Sequence, residues 1–145
     1  MHNKGESVQQ DDEEAVRWYR NAADQGLAIA QFNLGVMYED GKGVKQSHKE
    51  AVRWFQKAAD QGDAAAQCDL GLRYKYGQGV KQSDKEAVRW YQKAADQGHA
   101  AAQYNLGLMY VNGQGVKQSD KEAVRWFQKA ADQGFEGAQA QVDKI

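Results

Sequence analysis

The chain has 145 residues with 19 basic and 20 acidic side chains, so its formal net charge is −1. This balance gives no long-range field that would attract nucleic acid or anionic lipid, and it predicts no nucleic-acid partner. The hydrophobic fraction of 41% and the charged fraction of 27% are typical of a soluble globular protein, and no apolar run is long enough to span a membrane. The single cysteine, Cys68, excludes an internal disulfide.

Taken in order, the chain opens with a polar stretch, residues 1–10, which carries no apolar period. We expect a disordered leader or expression remnant there, with the first helix beginning near Asp11. The stretch lacks the apolar segment of a secretion signal. A chain from which a signal had already been removed would begin in the same way. The compartment therefore stays open, with a bacterial cytoplasm or periplasm both compatible with the sequence.

Four tryptophans set the period of the chain. Trp18, Trp54, Trp90 and Trp126 are separated by 36 residues each. A fixed period of this size is typical of a solenoid, in which each unit contacts only its neighbours.

The tryptophan of each unit lies on a predicted amphipathic helix. Later copies open with Ser-x-x-Glu, as at Ser47 and Glu50, which predicts a capping box in which both side chains satisfy free backbone N–H groups. Ala51, Trp54 and the residues that follow at helical spacing form one apolar face. A glycine, as at Gly62, stops each copy.

A second helix follows each of these glycines. In one copy Ala66, Leu70 and Tyr74 step by four residues and predict a face turned to the preceding helix. Gly71 lies inside this helix, where glycine costs about 1 kcal/mol relative to alanine, so we expect another helix to cross closely there. A Gly-x-Gly-Val loop ends each unit, and we expect its valine to pack on the core.

The units together resemble one known family. The pattern Ala-Gln-x-x-Leu-Gly-x-x-Tyr at 102–110, the loop at 113–116 and Ala-x-x-Trp-Phe-x-x-Ala-Ala at 123–131 are similar to Sel1-like repeats, relatives of the tetratricopeptide repeats. The resemblance implies an all-α, right-handed α–α solenoid with a period of 36 residues. It divides the chain into a half-repeat (11–26), three full repeats (27–62, 63–98 and 99–134) and a C-terminal capping helix (135–145).

The two ends depart from the repeat pattern. Val142 and Asp143 replace the leucine-glycine pair, which predicts a polar capping helix at the C-terminus. If no helix precedes Trp18 and Tyr19, part of an apolar face is exposed, which would favour a weak homodimer through this helix.

The resemblance implies a scaffold that binds a peptide or protein segment, with the leucine-glycine helices lining a concave face. The hypothesis is a groove floored by Phe32, Tyr76 and Tyr104, with Arg73 and Lys75 supplying positive charge. The alternative is that Phe32 and Tyr104 are core residues and that Arg73 and Lys75 are solvated. The full set of predicted partner contacts is Phe32, Val36, Glu39, Cys68, Leu72, Arg73, Lys75, Tyr76, Tyr104, Leu108 and Asn112, with Asp40 and Val111 also expected to be exposed.

Catalysis finds little support in the sequence. His2, His48 and His99 have no partner at the spacing of a triad or a metal site, so we expect no enzyme activity, metal site or cofactor. Cys68 is interpreted as a core or groove residue rather than a reactive thiol. A binder of small molecules or cell-wall glycan, or an enzyme of unknown class, stays as the alternative function.

Overall fold

The computed structural model describes residues 4–145, with side chains from Val8 onward. Within these residues the chain forms eight helices and no strand. The helices are α1 (Lys4–Asp24), α2 (Ala28–Asp40), α3 (His48–Asp60), α4 (Ala64–Tyr76), α5 (Asp84–Asp96), α6 (Ala100–Asn112), α7 (Asp120–Asp132) and α8 (Ala138–Lys144). The prediction of an all-α solenoid of helix-turn-helix repeats is confirmed.

Helices of two kinds alternate along the chain. We call α1, α3, α5 and α7 the tryptophan helices, and α2, α4 and α6 the leucine-glycine helices. Each leucine-glycine helix packs most extensively against the tryptophan helix that follows it. A Cβ atom on Gly71 would lie 2.7 Å from the ring of Tyr91, and one on Gly35 would lie equally close to Phe55. The interior glycines therefore permit the close helix crossing that the sequence predicts.

A serine begins each tryptophan helix after α1. Ser47 Oγ accepts a 3.1 Å hydrogen bond from the backbone N–H of Glu50. Other contacts replace the reciprocal half of the predicted capping box, since the Ser47 N–H donates to the Tyr38 carbonyl and the Glu50 carboxylate lies 3.1 Å from Arg53. The serine thus both caps α3 and ties its start to the end of α2.

Glycine ends each tryptophan helix in the predicted way. Gly62 has a φ of +95°, and its N–H donates to the Ala59 carbonyl while the N–H of Asp63 donates to Ala58. These two bonds form a Schellman motif, which requires the left-handed conformation that glycine adopts most easily.

The loop after α4 lies against the first turn of α3. A Cβ atom on Gly79, which has a φ of +78°, would lie 2.4 Å from the carbonyl oxygen of His48. No side chain fits there, and the next residue, Val80, packs on the core. The predicted position of the loop valine is confirmed.

A row of buried glutamines connects successive repeats. Gln67 is 5% exposed, and its Nε2 donates to the carbonyl of Ala59. Its Oε1 accepts a 2.9 Å hydrogen bond from Gln97 Nε2, which also lies 2.9 Å from the Gly62 carbonyl oxygen. The same arrangement recurs in two further pairs, Gln31 with Gln61 and Gln103 with Gln133. Because each buried amide has both a donor and an acceptor partner, the row fixes how neighbouring repeats align.

The interior tryptophans pack on the repeat before them. Trp54 is 3% exposed and belongs to a core cluster with Leu34. Trp18 has no described helix before it and is 68% exposed, as Leu27 is at 54%. Tyr19 is partly buried against the first core cluster. The predicted exposed apolar face at this end is confirmed for Trp18 but not for Tyr19.

The first helix is longer than the sequence predicts. It begins at Lys4 rather than near Asp11, so residues 4–10 are helical where a disordered leader is expected, and residues 1–3 lie outside the described residues. In α3 a hydrogen bond to the previous helix holds the cap at Ser47. Asp11 holds the position of Ser47 in the first unit but has no preceding helix among the described residues. The polar, proline-free segment 4–10 therefore continues the helical hydrogen bonding instead.

The C-terminal helix α8 is short and packs against α7. Ala138 is fully buried at its start, while most of its later side chains are exposed or half-buried.

Candidate partner-binding surface

Contacts between repeats place α2, α4, α6 and α8 side by side. The guanidinium of Arg73 on α4 pairs with the carboxylate of Glu39 on α2. Asn105 Nδ2 on α6 lies 3.7 Å from Cys68 Sγ on α4, and the hydroxyl of Tyr104 accepts a 3.3 Å hydrogen bond from α8. These helices form one continuous layer, and most residues that differ between repeats lie along it.

Phe32 and Tyr104 pack against the tryptophan helices. The ring centroids of Phe32 and Phe55 are 5.8 Å apart. The ring of Tyr104 lies between Phe127, at 5.4 Å, and Phe135, at 5.1 Å. Both Phe32 and Tyr104 are half-buried. These contacts favour the alternative in which the two rings serve packing, although each keeps some exposed surface.

Cys68 takes the position of Phe32 and Tyr104 in its own repeat but is only 5% exposed. The sequence places it in the exposed set, and this is a correction: the short thiol does not extend beyond the core as the rings do. Burial and, to a smaller extent, the Asp69 carboxylate raise the pKa of the thiol against the opposing hydrogen bond from Asn105, and the net result is a pKa of about 12. A thiol that stays protonated is a poor nucleophile, which favours a packing role.

The accessible part of the layer combines apolar and polar side chains. Tyr76 is 61% exposed, and Lys75 Nζ lies 5.3 Å from its ring centroid. One half-buried aliphatic residue recurs at the same position of each leucine-glycine helix, and Asn112 is exposed. We call this set the variable face: Val36, Leu72, Lys75, Tyr76, Leu108 and Asn112.

Arg73 is not a solvated charge. Its side chain is 14% exposed and pairs with that of Glu39, which is 17% exposed. His48 Nδ1 lies 2.9 Å from Glu39 Oε1. Among the described residues, Glu39 Oε2 and Arg73 Nε are buried without a hydrogen-bond partner. Arg73 is therefore desolvated between two repeats, which contradicts the solvated alternative, while its contact with a partner stays a prediction.

Asp69 is a residue that the sequence pattern does not single out. It replaces the asparagine found at the same position of α2 and α6. Burial raises the pKa of this carboxyl to about 6; Arg73 lowers it, while Glu39 and Asp40 raise it. When the repeats are aligned, the change from an amide to a carboxylate at this position is the sequence signal that would identify Asp69.

A cleft of about 220 Å³ opens beside this group, between α2, α3 and α4. One part of its wall is apolar and the rest is charged. Its lining consists of Val36, Glu39, Asp40, Phe55, Asp69 and Arg73. We call it the Asp69 cleft.

The histidines of the described chain have structural contacts. His99 Nδ1 accepts a 3.2 Å hydrogen bond from the N–H of Ala102 and so caps α6. Burial lowers the pKa of His99, and Asp63 opposes this shift. His48 lies beside Glu39, and His2 lies outside the described residues.

Residues 4–145 contain neither a cluster of metal ligands nor a helix that could cross a membrane. No group of three or more His, Cys, Asp or Glu side chains is arranged to hold a metal ion in this part of the chain. Over the same residues, no helix has both the length and the apolar character that crossing a bilayer requires.

Comparison with protein families gives a match to the Sel1 repeat over residues 1–27, 28–63, 64–99 and 100–135. The last three matched units begin one residue after the repeats predicted from the sequence, and the first includes the Trp18 helix. Comparison with curated proteins gives no significant match.

Solved structures show the same architecture. The chain is similar to a Sel1 repeat protein from Oxalobacter formigenes, with 43% identity and a TM-score of 0.87 over 97% of this chain and 58% of that protein. It is equally similar, at 43% identity and a TM-score of 0.87, to c5321, a protective antigen of uropathogenic Escherichia coli strains with an SLR fold, over 90% of this chain and 28% of that one. Cysteine rich protein B of Helicobacter pylori is 25% identical, with a TM-score of 0.72 over 92% of this chain and 96% of its own. The chain thus spans less than two thirds of the first two proteins.

Proposed function

Because the chain belongs to the Sel1 repeat family, we propose that it is an interaction scaffold that holds an extended segment of a partner protein along the variable face. Sel1 repeat proteins generally mediate protein–protein interactions and are typically non-enzymatic. The finer proposal concerns which surface of this chain makes the contact and what it recognises.

One observation carries the proposal: the residues that differ between repeats lie mainly in one layer, where several are accessible. Tyr76 stands where the other leucine-glycine helices carry Asp40 and Asn112, and it is exposed. Most residues that build the core, such as Trp54 and Leu70, are the same in every full repeat and are buried. A solenoid can vary such accessible positions without loss of its core, and this is how repeat scaffolds acquire specificity.

The chemistry of the variable face suits an extended peptide. Val36, Leu72 and Leu108 offer one apolar contact per repeat, so an extended segment would meet them in succession. Tyr76 and Lys75 lie together at the end of α4, where an aromatic ring and a cation provide the type of anchor that dominates interface energetics.

The test is selection of binders from a random-peptide display library, followed by affinity measurement on variants. Tyr76→Ala and Lys75→Glu should each weaken a selected peptide by about tenfold or more, as loss of an interface anchor does. The matched control is Lys85→Glu, which makes the same charge change at an exposed position of α5. If all three variants and the native chain bound the peptide with equal affinity, the proposal that the variable face makes the contact would be contradicted. Tyr104→Ala is a poorer probe, since it also removes the contacts to Phe127 and Phe135.

A head-to-tail contact between copies is a second candidate, favoured by the exposure of Trp18. Around Trp54, the preceding repeat supplies Ala30 and Leu34. In α8, Val142 occupies the position of Leu34 and is half-buried, so a second copy would offer Trp18 part of a similar surface. Sedimentation equilibrium should show association that rises with concentration and that Trp18→Ala abolishes. A monomer mass at every concentration would exclude it.

A further inference from the structure

The Asp69 cleft adjoins the variable face at Val36 but differs from it in charge. Its lining includes three carboxylates, those of Glu39, Asp40 and Asp69, but only one guanidinium, that of Arg73. Arg73 is already engaged by Glu39. The cleft therefore carries an excess of negative charge in a partly desolvated position, where charge interactions are stronger than in water.

The carboxylate oxygens of this cleft need hydrogen-bond donors. Glu39 Oε1 lies against both Arg73 and His48. Its Oε2 is buried with no partner among the described residues. A buried acceptor without a donor costs free energy, so a ligand that brings donors would gain from satisfying it.

The apolar part of the lining complements this charge. Val36 and Phe55 are the apolar members of the lining, and an apolar surface suits the methylene stem of a long side chain. We propose that the Asp69 cleft is a subsite for one cationic side chain, lysine or arginine, of the bound segment. The stem lies along Val36 and Phe55, and the charged group donates to Glu39 Oε2 and Asp69. This inference rests on the proposed scaffold function and adds to it the chemistry of one partner residue.

The next junction along the layer offers no comparable subsite. There Lys75 occupies the position of Glu39, Tyr76 that of Asp40, and Asn105 that of Asp69. Met109 replaces Arg73 and is fully buried. Of these two junctions, only the α2–α4 junction would thus bind a cation of the partner, and this would set the register of the bound segment against the repeats.

Protonation of Asp69 supplies a signature for this binding. A bound cation favours the ionised carboxyl, so it lowers the Asp69 pKa from about 6, and affinity rises as the pH increases through that value. The groups that face Asp69 are Arg73 and Cys68 on α4, Glu39 and Asp40 on α2, and Tyr91 on α5. His48 Nδ1 lies 2.9 Å from Glu39 Oε1 and is a second ionisable group near the cleft, so the Asp69→Asn variant is needed to separate the two.

The experiment is an NMR titration of the whole chain with N-acetyl-lysine N-methylamide and with the arginine analogue. The neutral norleucine analogue is the control ligand. We expect the cationic compounds to shift the signals of Val36, Phe55 and Asp69, with affinity about tenfold lower in Asp69→Asn and unchanged in Glu136→Gln, which removes an exposed carboxylate elsewhere. The increase of affinity with pH should be lost in Asp69→Asn.

Each other result has a defined meaning. Equal binding of the norleucine analogue, or undiminished binding to Asp69→Asn, overturns the cationic subsite. Shifts produced by acetate instead would indicate an anion site at Arg73 and also overturn it. In another outcome, the selected peptides bind the variable face without any enrichment of lysine or arginine at one position. That result would refute the subsite and leave the scaffold function intact. A library that yields no binder would count against both.

Discussion

The two junctions between leucine-glycine helices use the same backbone arrangement with different chemistry. At the α2–α4 junction, Arg73 and Glu39 form a largely buried ion pair. At the α4–α6 junction, Met109 replaces the arginine and is fully buried, while Lys75 replaces the glutamate and is half-buried. The comparison shows that the repeated tryptophans, glycines and glutamines suffice for stacking, so each junction is free to be apolar or charged.

The difference has an energetic side. A buried methionine gains free energy by leaving water. A buried ion pair must offset the desolvation of both charges, and its net contribution is often close to zero. The charged junction therefore carries polar chemistry at a stability cost that the apolar junction avoids.

The largest expected effect is at the apolar junction. Met109→Ala should lower the free energy of unfolding by about 3 kcal/mol, because it leaves a cavity at a fully buried position. Urea unfolding measures this, with Met37→Ala as the matched control. Met37 holds the same position in α2 but is half-buried, so its loss should be smaller. Equal losses would mean that full burial at the α4–α6 junction adds nothing to the contribution of this methionine.

The next effect is at the charged junction. Glu39→Ala should destabilise the protein by about 2 kcal/mol, since it leaves the Arg73 guanidinium buried without its partner. Lys75→Ala, at the same position of α4, should change stability by less than about 0.5 kcal/mol. Adding Arg73→Met to Glu39→Ala should recover much of the lost stability, because the α2–α4 junction then resembles the apolar α4–α6 junction, where Met109 holds this position. A double variant no more stable than Glu39→Ala would argue against the buried-charge explanation.

A smaller effect depends on pH. The folded-state pKa of Asp69, about 6, lies above its ordinary value of 3.8, so the folded state binds the proton more tightly. The contribution of this group to stability is therefore present below about pH 4 and is lost as the pH rises through about 6. Asp69→Asn, which restores the asparagine of α2 and α6, should remove this fall and stabilise the protein at neutral pH by on the order of 1 kcal/mol. Urea midpoints over this range check it, and parallel pH profiles for both proteins would contradict it.

The smallest effect concerns Tyr91. Its hydroxyl is buried with no hydrogen-bond partner among the described residues, whereas α3 and α7 carry Phe55 and Phe127 at this position. Tyr91→Phe should raise the free energy of unfolding by about 0.5–1 kcal/mol, because it removes an unsatisfied polar group without a change in ring packing. Thermal unfolding followed by circular dichroism is sufficient, and destabilisation would show that the hydroxyl has a partner after all.

The sequence predicts the fold well because residues that recur in every repeat indicate which contacts the helices make. Gly71 indicates a close helix crossing, and the ring of Tyr91 is found there. The start of α1 is the exception. At the equivalent start of α3, the backbone N–H of Ser47 donates to the Tyr38 carbonyl of the previous helix, and no local pattern encodes this contact.

The candidate site is less predictable from sequence. Helical spacing places Cys68 on the same face as Phe32 and Tyr104, but side-chain length decides that the thiol is buried. The pairing of Arg73 with Glu39 joins residues of two different repeats, and only the relative position of the two helices brings them together. Charge clusters between repeats are therefore tertiary features, and a pattern read within one repeat does not contain them.

The row of glutamines bears on how such a chain can change in length. Gln67 and Gln97 donate to the carbonyls of Ala59 and Gly62 across one boundary, just as Gln31 and Gln61 donate to those of Ala23 and Gly26 across the boundary before it. The boundaries before residues 27, 63 and 99 therefore use the same connector, made of neutral amides that do not depend on the charges of the neighbouring unit. A duplication or deletion of one whole repeat would join ends that already match, so the array can grow or shorten without the invention of a new interface.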